Sequence, residues 1–269
     1  MTQQERVKAF CSGVFYVVIA ATALSFSTIA QTPASSSDTN PDKARADRLQ
    51  ARLTDFPTLA RYREANAKLG LPKAAEQRVV FFGDSITDGW KLEQYFPGEP
   101  YVNRGIGGQS TYHMLLRFRA DVIDLQPKVA VILAGTNDLS STTEQYKMET
   151  IKSNFLSMVD LAQANGIALV ISSVTPVSDY ERDGAGNLVV RTVLRPPAMI
   201  SELNVWLREL CKKRGLIYLD YFSALADDRD FMRAGLSKDG LHPNDKAYAI
   251  MTPLAAAAIK TALRTRHGR

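Results

Sequence analysis

A serine hydroxyl is a poor nucleophile until a base removes its proton, so a reactive serine needs a base, an acid to orient that base, and donors for the negative charge that develops. Ser85 stands where such a set can assemble. It follows an apolar, β-prone run, Val79-Val80-Phe81-Phe82, that breaks off in Gly83-Asp84-Ser85-Ile86-Thr87-Asp88-Gly89. The space past the carboxyl end of a strand is where open α/β sheets hold reacting groups. A base is offered by Asp239-Gly240-Leu241-His242-Pro243-Asn244. Gly240 permits a tight bend, and Pro243 pushes His242 out of the helical region and suits the first turn of a following helix. Asp239 and His242 thus share one loop, with the carboxylate near one ring nitrogen and the other free to face a serine. Taken alone, the same six residues equally describe a turn and a helix cap. Of the three histidines, His113 reads as a helix-surface or packing residue, and His267 falls in a C-terminal tail.

Two further stretches could supply donors. Asn103-Arg104-Gly105-Ile106-Gly107-Gly108-Gln109-Ser110-Thr111 follows a strand-like run and opens a helix, where backbone N–H groups point outward without partners and glycines allow close approach. Its spacing matches neither the dinucleotide-binding nor the P-loop pattern. Gly135-Thr136-Asn137-Asp138 ends another apolar run, and the Asn137 amide there is a candidate donor to an oxyanion. Each stretch alone is as well explained by a turn or a cap. Together they contain one nucleophile, one base with its acid, and backbone and side-chain donors, the parts that acyl transfer requires. The α/β-hydrolase elbow, Gly-x-Ser-x-Gly, is excluded because position 87 is Thr.

The elements that must position these residues alternate along the chain. Strands are predicted at 78–82, 101–106, 128–134, 167–174 and 216–220, and helices near 110–125, 144–165, 197–214 and 243–264. Five strands alternating with helices imply a three-layer α/β/α sandwich on a five-stranded parallel sheet. Residues 129–134 and 167–171 are continuously apolar, as strands covered on both faces must be. Two connections, 175–196 and 223–241, exceed what a link requires and are expected at the same sheet edge as Ser85. The first carries Tyr180, Arg182 and Arg191 as candidate contacts to a glycan or a lipid head group. Trp90, Tyr95, Phe96 and Tyr101 are candidate lining residues or packing residues.

Upstream, Arg6 and Lys8 precede an apolar run from Phe10 that exits in Thr28-Ile29-Ala30, the signature of a secretory signal peptide over residues 1–30, with a retained anchor as the alternative. Residues 31–42 have the composition of a flexible linker, and 43–77 form a helical lead-in interrupted at Pro57 and stopped by Gly70 and Pro72. The hydrolytic parts lie in 78–264. Removing the leader takes Cys11 with it and leaves Cys211, which cannot form an internal disulfide and reads as a buried apolar residue. The net charge of +5 is spread among interleaved acids, which argues against a nucleic-acid surface. Beyond Asp239 and His242 no histidine and carboxylate cluster suggests a metal.

The four stretches, in this order over about residues 78–262, resemble the sequence blocks of the GDSL/SGNH family of serine esterases and lipases, in its bacterial branch similar to platelet-activating-factor acetylhydrolase and lysophospholipase-like esterases. The resemblance implies a flavodoxin-like SGNH hydrolase fold, Ser85 as nucleophile, His242 as base and Asp239 as its orienting acid. It also implies an oxyanion hole from the Ser85 and Gly108 N–H groups and the Asn137 amide, with Gly107 the alternative to Gly108, and no cofactor. The expectation is a secreted or periplasmic esterase acting on short-chain acyl esters, acetylated carbohydrate or lysophospholipid, without stable membrane insertion. An acyltransferase and a non-catalytic carbohydrate-binding module on the same fold are the alternatives.

Overall fold

The apolar runs form five parallel strands, β1 (Val79–Gly83), β2 (Tyr101–Gly105), β3 (Val129–Leu133), β4 (Ala168–Ser172) and β5 (Ile217–Leu219), in a computed structural model that describes residues 41–140 and 147–266. Their order across the sheet is β2-β1-β3-β4-β5. The chain therefore changes direction across the sheet between β1 and β3, and a crevice opens past the carboxyl ends of those two strands. The expected leader over 1–30 with Cys11, most of the linker, the start of the helix expected from 144, and His267 lie outside the described residues.

Alternation along each strand sends successive side chains to opposite faces, and both faces are covered. Val80 and Phe82 of β1 join one buried core with Met114 and Phe118 of α5 (Thr111–Asp121), Phe155 and Met158 of α7 (Met148–Ala164), and Leu203 and Leu207 of α8 (Pro197–Arg214). Val79 and Phe81 join the other, with Leu92 of α4 (Leu92–Tyr95) and Met251, Ile259 and Ala262 of α10 (Asp245–Arg266). This is the expected three-layer α/β/α sandwich. The fold lies in the second of two compact units, Met1–Ala44 and Arg45–Arg269.

The lead-in is two helices, α1 (Pro41–Thr54) and α2 (Ala60–Leu69). The break at Pro57 falls as expected, and the Asp55 carboxylate accepts the Leu59 and Ala60 N–H groups at 2.7 Å each to start α2. The helix begins at Pro41, two residues inside the expected linker, because proline is preorganised for a first helical position and Asp42 favours a first turn. Helix α2 has no fully buried residue; Leu69 packs partly buried against the core, and the other contacts are polar. Asn66 bonds the Ala120 carbonyl, Asp121 and Arg104, and the Tyr62 hydroxyl donates to the Gly105 carbonyl on edge strand β2.

Beneath this edge, the fully buried Arg117 of α5 has every guanidinium nitrogen in use. Nε donates to Gln109 Oε1, Nη1 to the Arg104 carbonyl at 2.9 Å and Asp121 Oδ2 at 3.0 Å, and Nη2 to the Gly83 carbonyl at 2.8 Å. It thus ties the carboxyl ends of β1 and β2 to the turn that follows β2. Arg117→Ala leaves Asp121 buried without its ion partner and removes the guanidinium donors of the Gly83 and Arg104 carbonyls, and is expected to cost about 3–5 kcal/mol of stability. Urea unfolding at neutral pH measures this, and a loss below about 1 kcal/mol would put the pair in the class of surface ion pairs.

Candidate active site

Past Gly83 the chain turns at Asp84, whose Oδ1 accepts the Ile86 N–H at 2.9 Å and caps the four-residue helix α3 (Ser85–Asp88). The cap lifts Ser85 to the start of α3, where its side chain reaches solvent while Asp84, Ile86 and Thr87 are buried. Asn103 holds the same turn from β2, donating to the Thr87 and Trp90 carbonyls at 2.6 and 2.9 Å.

His242 Nε2 lies 2.9 Å from Ser85 Oγ, and His242 Nδ1 lies 2.7 Å from Asp239 Oδ2. The structure thus brings together, in one hydrogen-bonded line, a serine and a histidine 157 residues apart. Asp239 Oδ1 accepts the His242 N–H at 2.8 Å, the Leu241 N–H at 3.0 Å and the Ser237 hydroxyl at 3.1 Å. Burial pushes the Asp239 carboxyl up, but the His242 backbone and ring and the Leu241 N–H outweigh it and hold the carboxyl well below its usual range. Gly240 sits at φ +75°, and a Cβ there would stand 2.2 Å from the Ser178 carbonyl, so only glycine lets this loop close on the connection after β4.

Pro243 does not open the final helix as its type suggests. It pairs with Ser237 in an isolated bridge, and α10 begins after Asn244, whose Oδ1 accepts the Lys246 and Ala247 N–H groups at 3.0 and 3.3 Å. The side-chain cap of Asn244 outcompetes proline for the helix start.

On the donor side, the Gly107 N–H is taken by Asp88 Oδ2 at 3.2 Å. Gly108, at φ +77°, is exposed, and its N–H has no acceptor among the described residues. Asn137, in α6 (Thr136–Leu139), uses Nδ2 to donate to the Gln109 carbonyl at 3.0 Å, which leaves the second amide hydrogen free of that bond. Asp138 is turned away and buried, accepting the Thr111 N–H at 3.0 Å and the Thr111 hydroxyl, so it pins α5 rather than facing the crevice. His113 is a packing residue as expected, bonded to Ser110 at 2.8 Å and set against Phe56.

Several candidate contacts lie elsewhere. Trp90, Phe96 and Tyr101 pack with Phe81, and Trp90 stacks on Tyr248, so these aromatics build the core beside α10 and are not lining residues. The Tyr95 hydroxyl contacts Asp245 at 3.2 Å. Tyr180 bonds Asp227, and Arg182 bonds the Gly186 carbonyl. Cys211 is buried, which pushes its thiol up to about 12. Two arginines of the long connection touch the site, Arg195, which no sequence pattern singled out, and Arg191, expected as a contact to substrate. Arg195 Nε donates to the Thr136 carbonyl at 3.0 Å with Nη2 at 3.5 Å from Asn137 Oδ1, and Arg191 reaches Asp239. Among the described residues no group of three or more His, Cys, Asp or Glu side chains could hold a metal ion, and no helix is long and apolar enough to cross a membrane.

Residues 81–250 match the model of the GDSL-like Lipase/Acylhydrolase family. The chain belongs to that family. A GDSL-like lipase structure from Bacteroides thetaiotaomicron is 35% identical, superposes with a TM-score of 0.69, and covers 77% of this chain and 99% of its own. An acetylxylan esterase of Xylanibacter ruminicola is 26% identical over 226 residues, 70% of this chain and 44% of its own length. The platelet-activating factor acetylhydrolase IB subunit alpha1 of Rattus norvegicus is 38% identical over 80 residues, 27% of this chain and 34% of its own. The matched part spans less than half the length of these two curated relatives.

Asp84 has a measurable consequence. It is wholly buried, Oδ2 has no hydrogen-bond partner among the described residues, and burial pushes its carboxyl up to about 7, with Ile86 opposing, Asp138 adding and Arg195 opposing. The unfolded carboxyl ionises near 3.8, so between about pH 4 and 7 the folded state holds a proton that the unfolded state has lost, and stability from this group falls as pH rises. Asp84→Asn keeps the Ile86 acceptor without titrating. Its melting temperature is expected to gain on that of the wild type from about pH 4 to about pH 7 and to stay level above. A pH-independent difference would place the Asp84 ionisation outside this range.

Proposed function

We propose that this chain is a serine esterase that hydrolyses carboxylic esters through an acyl-enzyme on Ser85. The observation that carries the reading is the unbroken line from Ser85 Oγ through the His242 ring to Asp239 Oδ2, at 2.9 and 2.7 Å. His242 Nε2 takes the proton as Ser85 Oγ attacks the ester carbonyl carbon, and the Asp239 carboxylate stabilises the imidazolium that forms. The ring then gives that proton to the departing alcohol oxygen. In the second half His242 deprotonates a water molecule, which attacks the acyl carbon and releases the acid and free Ser85.

The oxyanion is held by the Ser85 N–H, the Gly108 N–H and the Asn137 amide. Gly108 is preferred to Gly107 because Asp88 already occupies the Gly107 N–H. The relatives named acetylxylan esterase and platelet-activating factor acetylhydrolase support a short acyl group as the part removed. The basic start and apolar run of residues 6–30 support export, with 1–30 as a cleaved leader, the following residues as a tether, and the hydrolase domain over 78–264, active outside the cytoplasm.

Hydrolysis of a series of aryl esters from acetate upward is expected to be fastest at the shortest acyl groups. Ser85→Ala is expected to lower kcat at least about 10³-fold and Asn137→Ala about 10²- to 10³-fold. A fluorophosphonate should label Ser85, read by peptide mass spectrometry. Equal rates for wild type and Ser85→Ala would sink the assignment, and a maximum at long acyl chains would sink the short-acyl part.

A further inference from the structure

Arg191 lies in the long connection from β4 to α8, where a cation suggests a contact to substrate. It turns inward. Nε donates to the Asp239 carbonyl at 2.7 Å, and Nη2 reaches Asp239 Oδ2 at 3.2 Å. That oxygen is the same one that meets His242 Nδ1. Arg191 is itself anchored, because Asp179 Oδ1 accepts the Arg191 and Thr192 N–H groups at 2.5 and 3.0 Å. The Ser178 N–H donates to the Gly240 carbonyl at 2.8 Å, so the connection grips the loop of Asp239 on its neighbouring residue as well.

We propose that Arg191 is a positioning residue of the esterase site, holding the Asp239 carboxylate in the orientation that meets His242; this rests on the serine esterase reading above. The backbone of 241 and 242 and Ser237 hold Oδ1, but a carboxylate fixed at one oxygen still pivots about it. A planar guanidinium that grips the carbonyl and Oδ2 of one residue removes that pivot, a geometry an ammonium point charge cannot reproduce.

The variants Arg191→Met and Arg191→Lys test this in the full chain with a short-chain aryl ester. For Arg191→Met, kcat is expected to fall about tenfold with KM unchanged, because the acid is misplaced rather than the substrate. Arg191→Lys is expected to leave kcat below wild type as well, since an ammonium keeps the charge without the planar grip. The downfield proton NMR signal of the Nδ1 hydrogen in the His242–Asp239 bond, read without substrate, should shift in the Met variant. Wild-type kcat in Arg191→Met, whatever its melting temperature, would overturn the inference and leave Arg191 a brace for the loop. Should the Met variant not fold, wild-type kcat in Arg191→Lys overturns it alone. A Ser85→Ala protein as active as wild type overturns the esterase reading itself, whereas an inactive Ser85→Ala with wild-type behaviour at position 191 overturns only this inference.

Discussion

The guanidinium of Arg117 is the interaction on which the rest of the site depends. Where β1 and β2 end, the chain must leave the sheet, and the carbonyls of Gly83 and Arg104 are buried at the point of departure. An unpaired buried carbonyl costs about as much as a lost hydrogen bond, and Arg117 meets both while its charge is matched by Asp121. Burying that ion pair carries a desolvation cost that attraction alone does not offset; the three further hydrogen bonds of the guanidinium make the arrangement favourable and geometrically single-valued. Its Nε fixes Gln109, the Gln109 Nε2 reaches the Pro57 carbonyl at 3.0 Å, and the Gln109 carbonyl takes the Asn137 amide. One buried cation thus connects the sheet end, the lead-in break and the Asn137 donor.

Three aspartates near the crevice carry three different environments. Asp84 and Asp138 are buried, which raises both carboxyls; Asp84 spends one oxygen on the Ile86 N–H that starts α3, and Asp138 spends both on Thr111 at the start of α5. Asp239 keeps contact with solvent and collects donors from Ser237, Leu241, His242 and Arg191, so it stays an anion. The residue type is the same; donor count and dehydration divide the work. Asp239 presents its carboxylate to the His242 imidazole, while the buried carboxyls of Asp84 and Asp138 hold the turns around Ser85.

The sheet was legible because parallel strands covered on both faces read as unbroken apolar runs, as at 129–134 and 167–171, and the observed strands differ from those ranges by one or two residues. The loop of Asp239 and His242 was legible because Gly240 and Pro243 leave few backbone choices, although the role of Pro243 was displaced by the Asn244 cap. Helices α3, α4, α6 and α9 (Phe222–Leu225) are four residues each, too short for any periodic pattern to register. Arginines were the least legible of all. Arg117 sits on a helix where its type reads as solvent-facing, and the destinations of Arg191 and Arg195 depend on the path of a connection whose course no local pattern encodes.

That connection has a divided character. Its inward side is polar and committed: Asp179 holds its own chain at 191 and 192, Tyr180 ties it to Asp227, and Arg195 bonds the carbonyl of Thr136, the first residue of α6, beside Asn137. Its outward side is a short hairpin closed by the bridge between Arg182 and Leu188, with Leu188, Val190, Val193 and Leu194 exposed. Exposed apolar side chains lend nothing to the core, so residues there can change with little effect on stability. The polar anchors cannot change so freely, since each ends on a group of the site. The segment therefore divides anchors that end on groups of the site from exposed apolar residues that end on none.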